Sequence, residues 1–292
     1  MNVIETKGLC RSFGATPAVL GLDLQVPEGS VFGLLGENGS GKTTTIRMIM
    51  GNLVPHDGEV RVWGHDPLRI PLRERARIGC VWDEMELPIW MRLREAMDLH
   101  ASYFPQWDAV QAQELLKRFE LNLRAPFGTL SKGQKRRFLL LLAVAQQPDL
   151  LVLDEPSSGL DVAVRRQFLD LLMELANTRR LTILISSHIL SDVERIIDRV
   201  AFIKAGRLVR QDSLEDLKAQ VKRLHLVTDQ AEALLRQRFE VLSLQRNADG
   251  ILAVVNDFAP EKLAGLEARV EHLNLEELFL TFNTTRTAGE PA

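Results

Sequence analysis

Short apolar segments separated by turn residues open the chain, a pattern typical of β-strands. The predicted strands are residues 3–10, 18–26, 30–35, 59–63 and 77–81. Residues 30–35 form an apolar strand that leads directly into a glycine-rich loop. A helix is predicted over residues 42–50, where Gly51 takes the position that commonly ends a helix. The pattern thus predicts a strand, a loop and a helix in succession.

Helical periodicity replaces the strand pattern from about residue 91 to residue 147, as the spacing of Leu115, Leu116 and Phe119 shows. The elements predicted beyond it are strands over 150–153 and 182–186, a helix between them over 163–176, and a closing hairpin of 199–204 and 207–211. Short apolar strands that alternate with helices indicate an α/β fold whose parallel sheet is covered on both faces.

After about residue 213 the pattern changes to that of a small α+β unit. Its predicted strands are residues 224–228, 241–244, 251–255 and 268–271, and its predicted helices are 231–239, 260–266 and 275–282. Asn274, followed three positions later by Glu277, is a candidate cap for the last helix. We therefore expect a large domain over 1–212, an accessory domain over 213–283 and a flexible tail over 284–292.

The glycine-rich loop matches the phosphate-binding pattern G-x-x-x-x-G-K-S/T. Its residues are Gly36, Glu37, Asn38, Gly39, Ser40, Gly41, Lys42 and Thr43, with Thr44 next to them. Glycines allow backbone N–H groups to converge on phosphate oxygens. Lys42 is expected to reach the β- and γ-phosphates, and the Thr43 hydroxyl to bind Mg²⁺. The alternative is a chance glycine-rich turn, which the position between a strand and a helix disfavours.

Two carboxylates, Asp154 and Glu155, follow the apolar strand over 150–153. Ligands of open α/β sheets bind at the carboxyl ends of the strands. There Asp154 can hold Mg²⁺ through a water molecule, and Glu155 can orient and deprotonate the attacking water. The alternative is a strand whose exit turn happens to be acidic, and the phosphate-binding loop upstream argues against it.

Two further motifs connect these features to a family. Residues 130–134 read Leu-Ser-Lys-Gly-Gln, and residues 186–188 read Ser-Ser-His. With the loop and the carboxylates, they resemble the nucleotide-binding subunit of ABC transporters. The resemblance implies a P-loop ATPase with antiparallel β and helical subdomains, the helical one over about 84–148. The family's signature is usually LSGGQ, so Lys132 replaces one glycine while Ser131 and Gly133 are retained.

The resemblance also implies roles for single residues. Ser131, Gly133 and Gln134 would contact ATP held by a partner subunit, which is either an identical chain or a similar one, and Asp161 would lie in the loop that couples the two sites. His188 would contact the γ-phosphate. Phe13 would stack on adenine, the alternative being a core aromatic.

Asp83 stands where the family has a glutamine. There it would bind Mg²⁺ more directly and position water less well, which suggests altered coupling or slow turnover without loss of ATP binding. The alternative register gives this role to Glu84.

Two segments admit two interpretations each. Lys135, Arg136 and Arg137 fall in the first turn of a helix, where the helix dipole disfavours cations. Either a nearby anion relieves that conflict, or the three form a solvated basic face. Apolar residues of the segment 84–91 either pack within the helical subdomain or, as in the family, grip a membrane subunit. They are Leu87, Ile89, Trp90 and Met91.

Composition narrows the location and the partners. The formal net charge of −3 does not favour a nucleic-acid partner, and two cysteines, Cys10 and Cys80, suit a reducing compartment. The longest apolar run, residues 138–145, is too short to span a bilayer, and residues 1–11 lack the apolar core of a signal peptide. The expected location is cytoplasmic, peripheral on the inner face of the membrane through a separate permease.

The function expected from the resemblance is ATP hydrolysis in a head-to-tail dimer that powers export of an unknown substrate. Residues 273–279 resemble the C-terminal extension of bacterial exporter ATPases encoded apart from their permease. Two alternatives stay open at this point. One is an ABC ATPase that acts on ribosomes or DNA, and the other is a regulatory module that holds ATP with weak hydrolysis.

Overall fold

A computed structural model describes residues 1–83, 85–178, 180–226, 231–247 and 250–284. The strands are β1 Asn2–Phe13, β2 Thr16–Leu22, β3 Gln25–Pro27, β4 Val31–Leu35, β5 Asp57–Val62, β6 Ile78–Val81, β7 Leu150–Asp154, β8 Thr182–Ser187, β9 Arg199–Lys204, β10 Arg207–Ser213, β11 Lys222–Leu226, β12 Glu240–Asn247, β13 Gly250–Asn256 and β14 Ala268–His272. The helices are α1 Lys42–Ile49, α2 Leu72–Arg75, α3 Leu93–Tyr103, α4 Ala109–Arg118, α5 Lys132–Ala145, α6 Val162–Thr178, α7 Leu190–Val193, α8 Leu214–Gln220, α9 Ala231–Arg238 and α10 Leu275–Thr284. Glu84 and residues 285–292 of the predicted tail lie outside the described residues.

A six-stranded sheet in the order β10-β9-β4-β8-β7-β6 forms the centre of the large domain. Its strands are parallel except for β10, which closes the edge as the antiparallel partner of β9. Strands β4, β7 and β8 are buried at every position. Alternate residues of these strands belong to two different apolar clusters, one on each face of the sheet. The predicted parallel sheet with two covered faces and a closing hairpin is therefore confirmed.

The antiparallel sheet of the N-terminal part has β1 between β2 and β3, with β5 also paired to β1. The single strand predicted over 18–26 is wrong, because this segment forms two separate strands, β2 and β3. The hydroxyl of Thr6 donates to the carbonyl of Leu22 at 2.7 Å and accepts the N–H of Leu24 at 2.8 Å. This side chain thereby takes hydrogen bonds that a continuous ladder would have made.

Helices α3, α4 and α5 form the predicted helical region. Residues 138–145 of α5 are all buried, because α5 packs against α3, α4 and strand β6. The amino end of α5 follows directly on Leu130 and Ser131. The signature residues are thus carried on the exposed end of a helix that is otherwise embedded in the core.

The C-terminal part contains an antiparallel sheet in the order β12-β13-β11-β14. The predicted cap of α10 is confirmed, since Asn274 and Glu277 exchange side-chain and backbone hydrogen bonds at 2.9 Å. The helix predicted over 260–266 is wrong. Only a 3₁₀ turn, Pro260–Leu263, forms there, and Gly265, with φ of +75°, ends the segment.

Helix α10 packs against the large domain. The rings of Phe279 and Phe282 lie 5.5 Å and 5.9 Å from the ring of Phe202 on β9. Lys204 on the same strand donates to the carbonyl of Asn283 at 2.7 Å. Within the described ranges, no helix is both long enough and apolar enough to cross a membrane.

We expect Phe279→Ala to lower the free energy of unfolding by about 3 kcal/mol, because it removes a buried ring and leaves a cavity beside Phe202. Chemical denaturation measures this change. The control is Leu280→Ala on the same helix, which removes a side chain that is 54% exposed and is expected to change the value by less than about 0.5 kcal/mol. Equal effects of the two substitutions would contradict the packing described for α10.

Candidate functional site

The phosphate-binding loop joins β4 to α1, and its glycines are required for two different reasons. A Cβ on Gly36 would lie 2.4 Å from the carbonyl oxygen of Ile203, and one on Gly41 would lie 2.4 Å from that of Ala18. Gly39 has open space around it but adopts a φ of +80°, which favours glycine. The loop therefore packs against other segments of the chain at Gly36 and Gly41, and it is open at Gly39.

Lys42 is the first residue of α1 and is only 5% exposed. Its ammonium donates to the carbonyl of Gly36 at 2.8 Å and to that of Glu37 at 3.0 Å. Glu155 Oε1 lies 3.2 Å from the same nitrogen. Oxygen atoms surround the buried cation on several sides, as burial of a charge requires. The hydroxyl oxygen of Ser40, also in the loop, is buried and has no hydrogen-bond partner within the described residues.

One hydroxyl links the Asp154 carboxylate to the backbone of Glu155. Ser186 lies directly across from Asp154 in the parallel register of β7 and β8. Its Oγ donates to Asp154 Oδ1 at 2.6 Å and accepts the backbone N–H of Glu155 at 2.9 Å. Sequence reasoning placed Ser186 in a motif but gave it no role. The pairing of two strands brings it to the site.

Glu155 adopts a φ of +47°, an uncommon conformation for a residue with a side chain. Its Oε2 lies 2.7 Å from Nδ1 of His188. Its Oε1 forms the ion pair with Lys42 but has no hydrogen bond among the described residues. The structure therefore brings Lys42, Glu155 and His188 together, with one carboxylate oxygen of Glu155 able to accept a hydrogen bond.

The signature residues form a capping box at the start of α5. Ser131 Oγ accepts the N–H of Gln134 at 3.2 Å, and Gln134 Oε1 accepts the N–H of Ser131 at 2.9 Å. The pattern S-x-x-Q is the sequence signal of such a box. A Cβ on Gly133 would make only ordinary contacts, at 3.7 Å from Leu160 and Val164. Packing within this chain does not explain a glycine at position 133.

Phe13 and Asp161 lie at the surface. Phe13 is 50% exposed at the end of β1, with the guanidinium of Arg11 5.3 Å from its ring centre, so the alternative of a core aromatic is wrong. Asp161 Oδ1 accepts the N–H of Val164 at 2.9 Å and caps α6. Both side chains are accessible, and their contacts with a nucleotide or a partner stay predictions.

Asp83 forms an ion pair with Arg136, and Lys132 lies 3.7 Å from the same carboxylate oxygen. It therefore lines a cavity with signature residues, whereas Asp154 lines another cavity beside α1. Arg136, which pairs with Asp83, also interacts electrostatically with Asp154. A metal site shared by Asp83, Thr43 and Asp154 stays a prediction.

The contacts of Lys135 and Arg136 decide between the two interpretations of the cations near the start of α5. Arg136 is only 3% exposed, and Lys135 lies 3.1 Å from Glu86. The solvated basic face is thus wrong for these two, and carboxylates of the protein supply the anions. Burial lowers the pKa of Arg136, and the nearby Asp83 carboxylate opposes that shift.

The oxygen donors of the site decide whether it can hold Mg²⁺. No group of three or more acidic, histidine or cysteine side chains that could hold a metal occurs in the described part of the chain. Mg²⁺ needs no such cage, because it is commonly held by one or two carboxylates together with substrate phosphates. Asp154 is a buried carboxylate at the end of β7, and Lys42, the neighbour of Thr43, contacts Glu155, the neighbour of Asp154. These oxygen donors fit the ion.

Of the apolar residues in the segment after β6, two are packed inside the domain and two are exposed. Leu87 and Met91 pack against the larger apolar cluster. Ile89 and Trp90 are 66% and 71% exposed. Packing therefore accounts for the first pair, and the second pair forms an apolar patch on the surface.

Comparison with known proteins supports one family. The family model described as ABC transporter matches residues 19–158. The bacitracin transport ATP-binding protein BcrA of Bacillus licheniformis is 31% identical over 87% of this chain and 85% of its own length. The Nod factor export ATP-binding protein I of Paraburkholderia xenovorans is 35% identical over 71% of this chain and 70% of its own. A solved ATP-binding subunit of an ABC transporter superposes with a TM-score of 0.67 at 27% identity, covering 74% of this chain and 92% of that one.

We expect Lys42→Met to weaken ATP binding by about tenfold to a hundredfold, because charge-assisted hydrogen bonds to phosphate are lost. Equilibrium titration with a fluorescent ATP analogue measures the affinity. Lys117→Met, which removes an exposed lysine on α4, is the matched control and should bind as the unaltered chain does. Similar affinities for the two variants would remove Lys42 from the phosphate site.

Proposed function

The chain belongs to the ABC transporter family and is an ATPase of that type, and we propose that it hydrolyses ATP at composite sites formed by two copies arranged head to tail. The observation that carries this proposal is the assembly of Lys42, Glu155 and His188 beside the phosphate-binding loop. Each composite site would combine that assembly from one copy with the signature residues of the other.

Glu155 is the proposed general base. Its Oε1 is buried beside the Lys42 ammonium and accepts no hydrogen bond from the described residues, so it would become available to the attacking water when Lys42 turns to the phosphates. The water oxygen forms a bond to the γ-phosphorus, the bond from that phosphorus to the β–γ bridging oxygen breaks, and ADP leaves. The proton of the water passes to Glu155. His188, 2.7 Å from Oε2, fixes the orientation of the carboxylate.

Lys42 is proposed to neutralise the β- and γ-phosphates. Its carbonyl and carboxylate partners already hold the ammonium at the loop, so little side-chain entropy is left to lose on binding. Phe13, exposed at the end of β1, would stack on the adenine ring.

Thr43 and Asp154 are the residues proposed to hold Mg²⁺. When bound, this ion would supply positive charge that offsets the negative charge developing on the phosphates. Ser186 supports the arrangement, because its hydroxyl donates to one oxygen of Asp154 and fixes the direction of the carboxylate. Asp83 is not proposed as a ligand, since its carboxylate pairs with Arg136.

The dimer is proposed from the signature turn. Gly133 has space that packing within the chain does not need, and Ser131 lies at the amino end of α5. N–H groups at the start of a helix attract phosphate oxygens. A γ-phosphate held by a second copy would use both features, with Gln134 keeping the turn in shape.

We propose that the dimer drives export through a separate membrane permease. The relative named for Nod factor export supports this direction, and the one named for bacitracin transport supports transport. Ile89 and Trp90 offer an exposed apolar surface to such a partner. The location proposed with it is the cytoplasmic face of the membrane, and no nucleic-acid partner is proposed.

We expect the specific ATPase activity of the purified chain to rise with protein concentration, because each active site needs a second copy. Steady-state phosphate release over a dilution series measures this. Glu155→Gln should retain ATP binding and lose at least about a hundredfold in rate, as removal of a general base implies. Bound ATP without hydrolysis at any concentration would contradict a dimer of identical copies that is active alone, and would favour a required permease, a non-identical partner or the regulatory module.

Mixing two inactive variants tests the head-to-tail arrangement. Lys42→Met disables the phosphate loop, and Ser131→Arg places a bulky cation in the signature turn. A mixed dimer contains one intact composite site, so an equal mixture should regain about a quarter of the unaltered activity if pairing is random.

Each variant alone should stay inactive at the same total concentration. A mixture that remains as inactive as its components would contradict shared sites. The phosphate release assay used for the dilution series reads both results.

A further inference from the structure

The first turn of α5 carries more positive charge than a helix can easily hold there. Lys132, Lys135 and Arg136 all lie in or beside it, where the positive end of the helix dipole disfavours cations. Two carboxylates from the segment after β6, Asp83 and Glu86, face these three side chains. The geometry of the turn thus depends on a segment about fifty positions earlier in the chain.

Arg136 makes the most buried of these contacts. Its side chain is 3% exposed, and it donates to the carbonyl oxygen of Trp82 at 2.6 Å as well as to Asp83. A planar guanidinium can hold both acceptors at once, which an ammonium cannot do with the same geometry. The guanidinium therefore fixes two successive residues at the end of β6.

Trp82 extends this connection to Asp154. It lines the same cavity as Asp154, Ile46 of α1 and Met50, the residue that follows this helix. Arg136 lines the cavity on the signature side together with Asp83 and Lys132. One side chain thus contacts the segment that separates the two cavities.

We propose that Arg136 is a positioning residue which, by holding the Trp82 carbonyl and the Asp83 carboxylate, makes the signature turn move together with the phosphate end of the central sheet. ATP held in one copy would then find the signature residues of the other copy in the correct place. This inference rests on the proposed head-to-tail dimer, which gives the position of the signature turn its importance.

The two departures from the family's usual residues fall on this same contact. Asp83 replaces a glutamine and Lys132 replaces a glycine, and the two lie 3.7 Å apart. Lys132 also lies beside Gly159, where a Cβ would come within 2.8 Å of its ammonium. The aspartate supplies a negative charge that a glutamine would not supply to Lys132 and Arg136. The two replacements are electrostatically complementary.

The test is a double-mutant cycle with Asp83→Asn, Arg136→Gln and the two combined, each added to Glu155→Gln. ATP-dependent dimerisation is measured by sedimentation, and ATP affinity by titration at protein concentrations that keep the chain monomeric. We expect each single change to weaken dimerisation by about tenfold and to leave the affinity for ATP within about twofold. The combined change should be no worse than the more severe single change. The kcat of the same variants with Glu155 intact should fall in parallel, at an unchanged ATP affinity.

The matched control is the ion pair of Arg118 and Glu174, 2.7 Å apart on α4 and α6. Arg118→Gln and Glu174→Gln should leave dimerisation unchanged. If Arg136→Gln does not fold, Asp83→Asn carries the test, because the Asp83 side chain is 48% exposed.

Unchanged dimerisation in the Asp83 and Arg136 variants, or an equal loss of ATP affinity, would overturn the inference and leave the proposed function intact. Multiplying losses in the combined variant would also overturn it, because the two residues would then act independently. A Glu155→Gln parent that binds ATP without dimerising would instead refute the proposed dimer, and this inference with it.

Discussion

Burial of one ammonium group sets the requirements for the rest of the site. Lys42 lies at the start of a helix whose dipole already disfavours a cation, and it is almost completely shielded from water. Carbonyls of the loop and a carboxylate at the end of β7 must therefore face it. The carboxylate arrives there only because β4 and β7 flank β8 in one parallel sheet with a fixed register. The sheet, the loop and the positive φ of Glu155 together place these oxygen atoms around the Lys42 ammonium.

The sequence predicted the parts whose signal is local and strong. Apolar strands such as β4 and β7, the phosphate loop, and the cap at Asn274 were all predicted and are all present. Helices α2 and α7 were missed because a single turn contains too little periodicity to be recognised. Helix α8 was missed although Ser213 caps it by accepting the N–H of Asp216, a signal that the sequence does carry.

Contacts between distant segments account for most of what the sequence did not predict. Asp83 was expected beside the metal. It forms an ion pair with Arg136, about fifty positions away, and no local sequence pattern predicts that Arg136 is buried. Ser186 contacts Asp154 and Glu155 only because their strands pair. The side chain of Thr6 on β1 bonds to Leu22, where the strand predicted over 18–26 is interrupted. Residue types indicated the chemistry of the site, whereas the register of strands and the turn of α5 decided which side chains meet.

Helix α10 has a consequence for how the chain is made. It covers Phe202 on β9, a strand that the ribosome completes more than seventy residues earlier. Until Leu275–Thr284 emerges, that apolar face has no permanent cover, although the nucleotide-binding motifs have already been synthesised. The catalytic core is therefore expected to reach its final packing only late in synthesis, with this apolar face exposed during that interval.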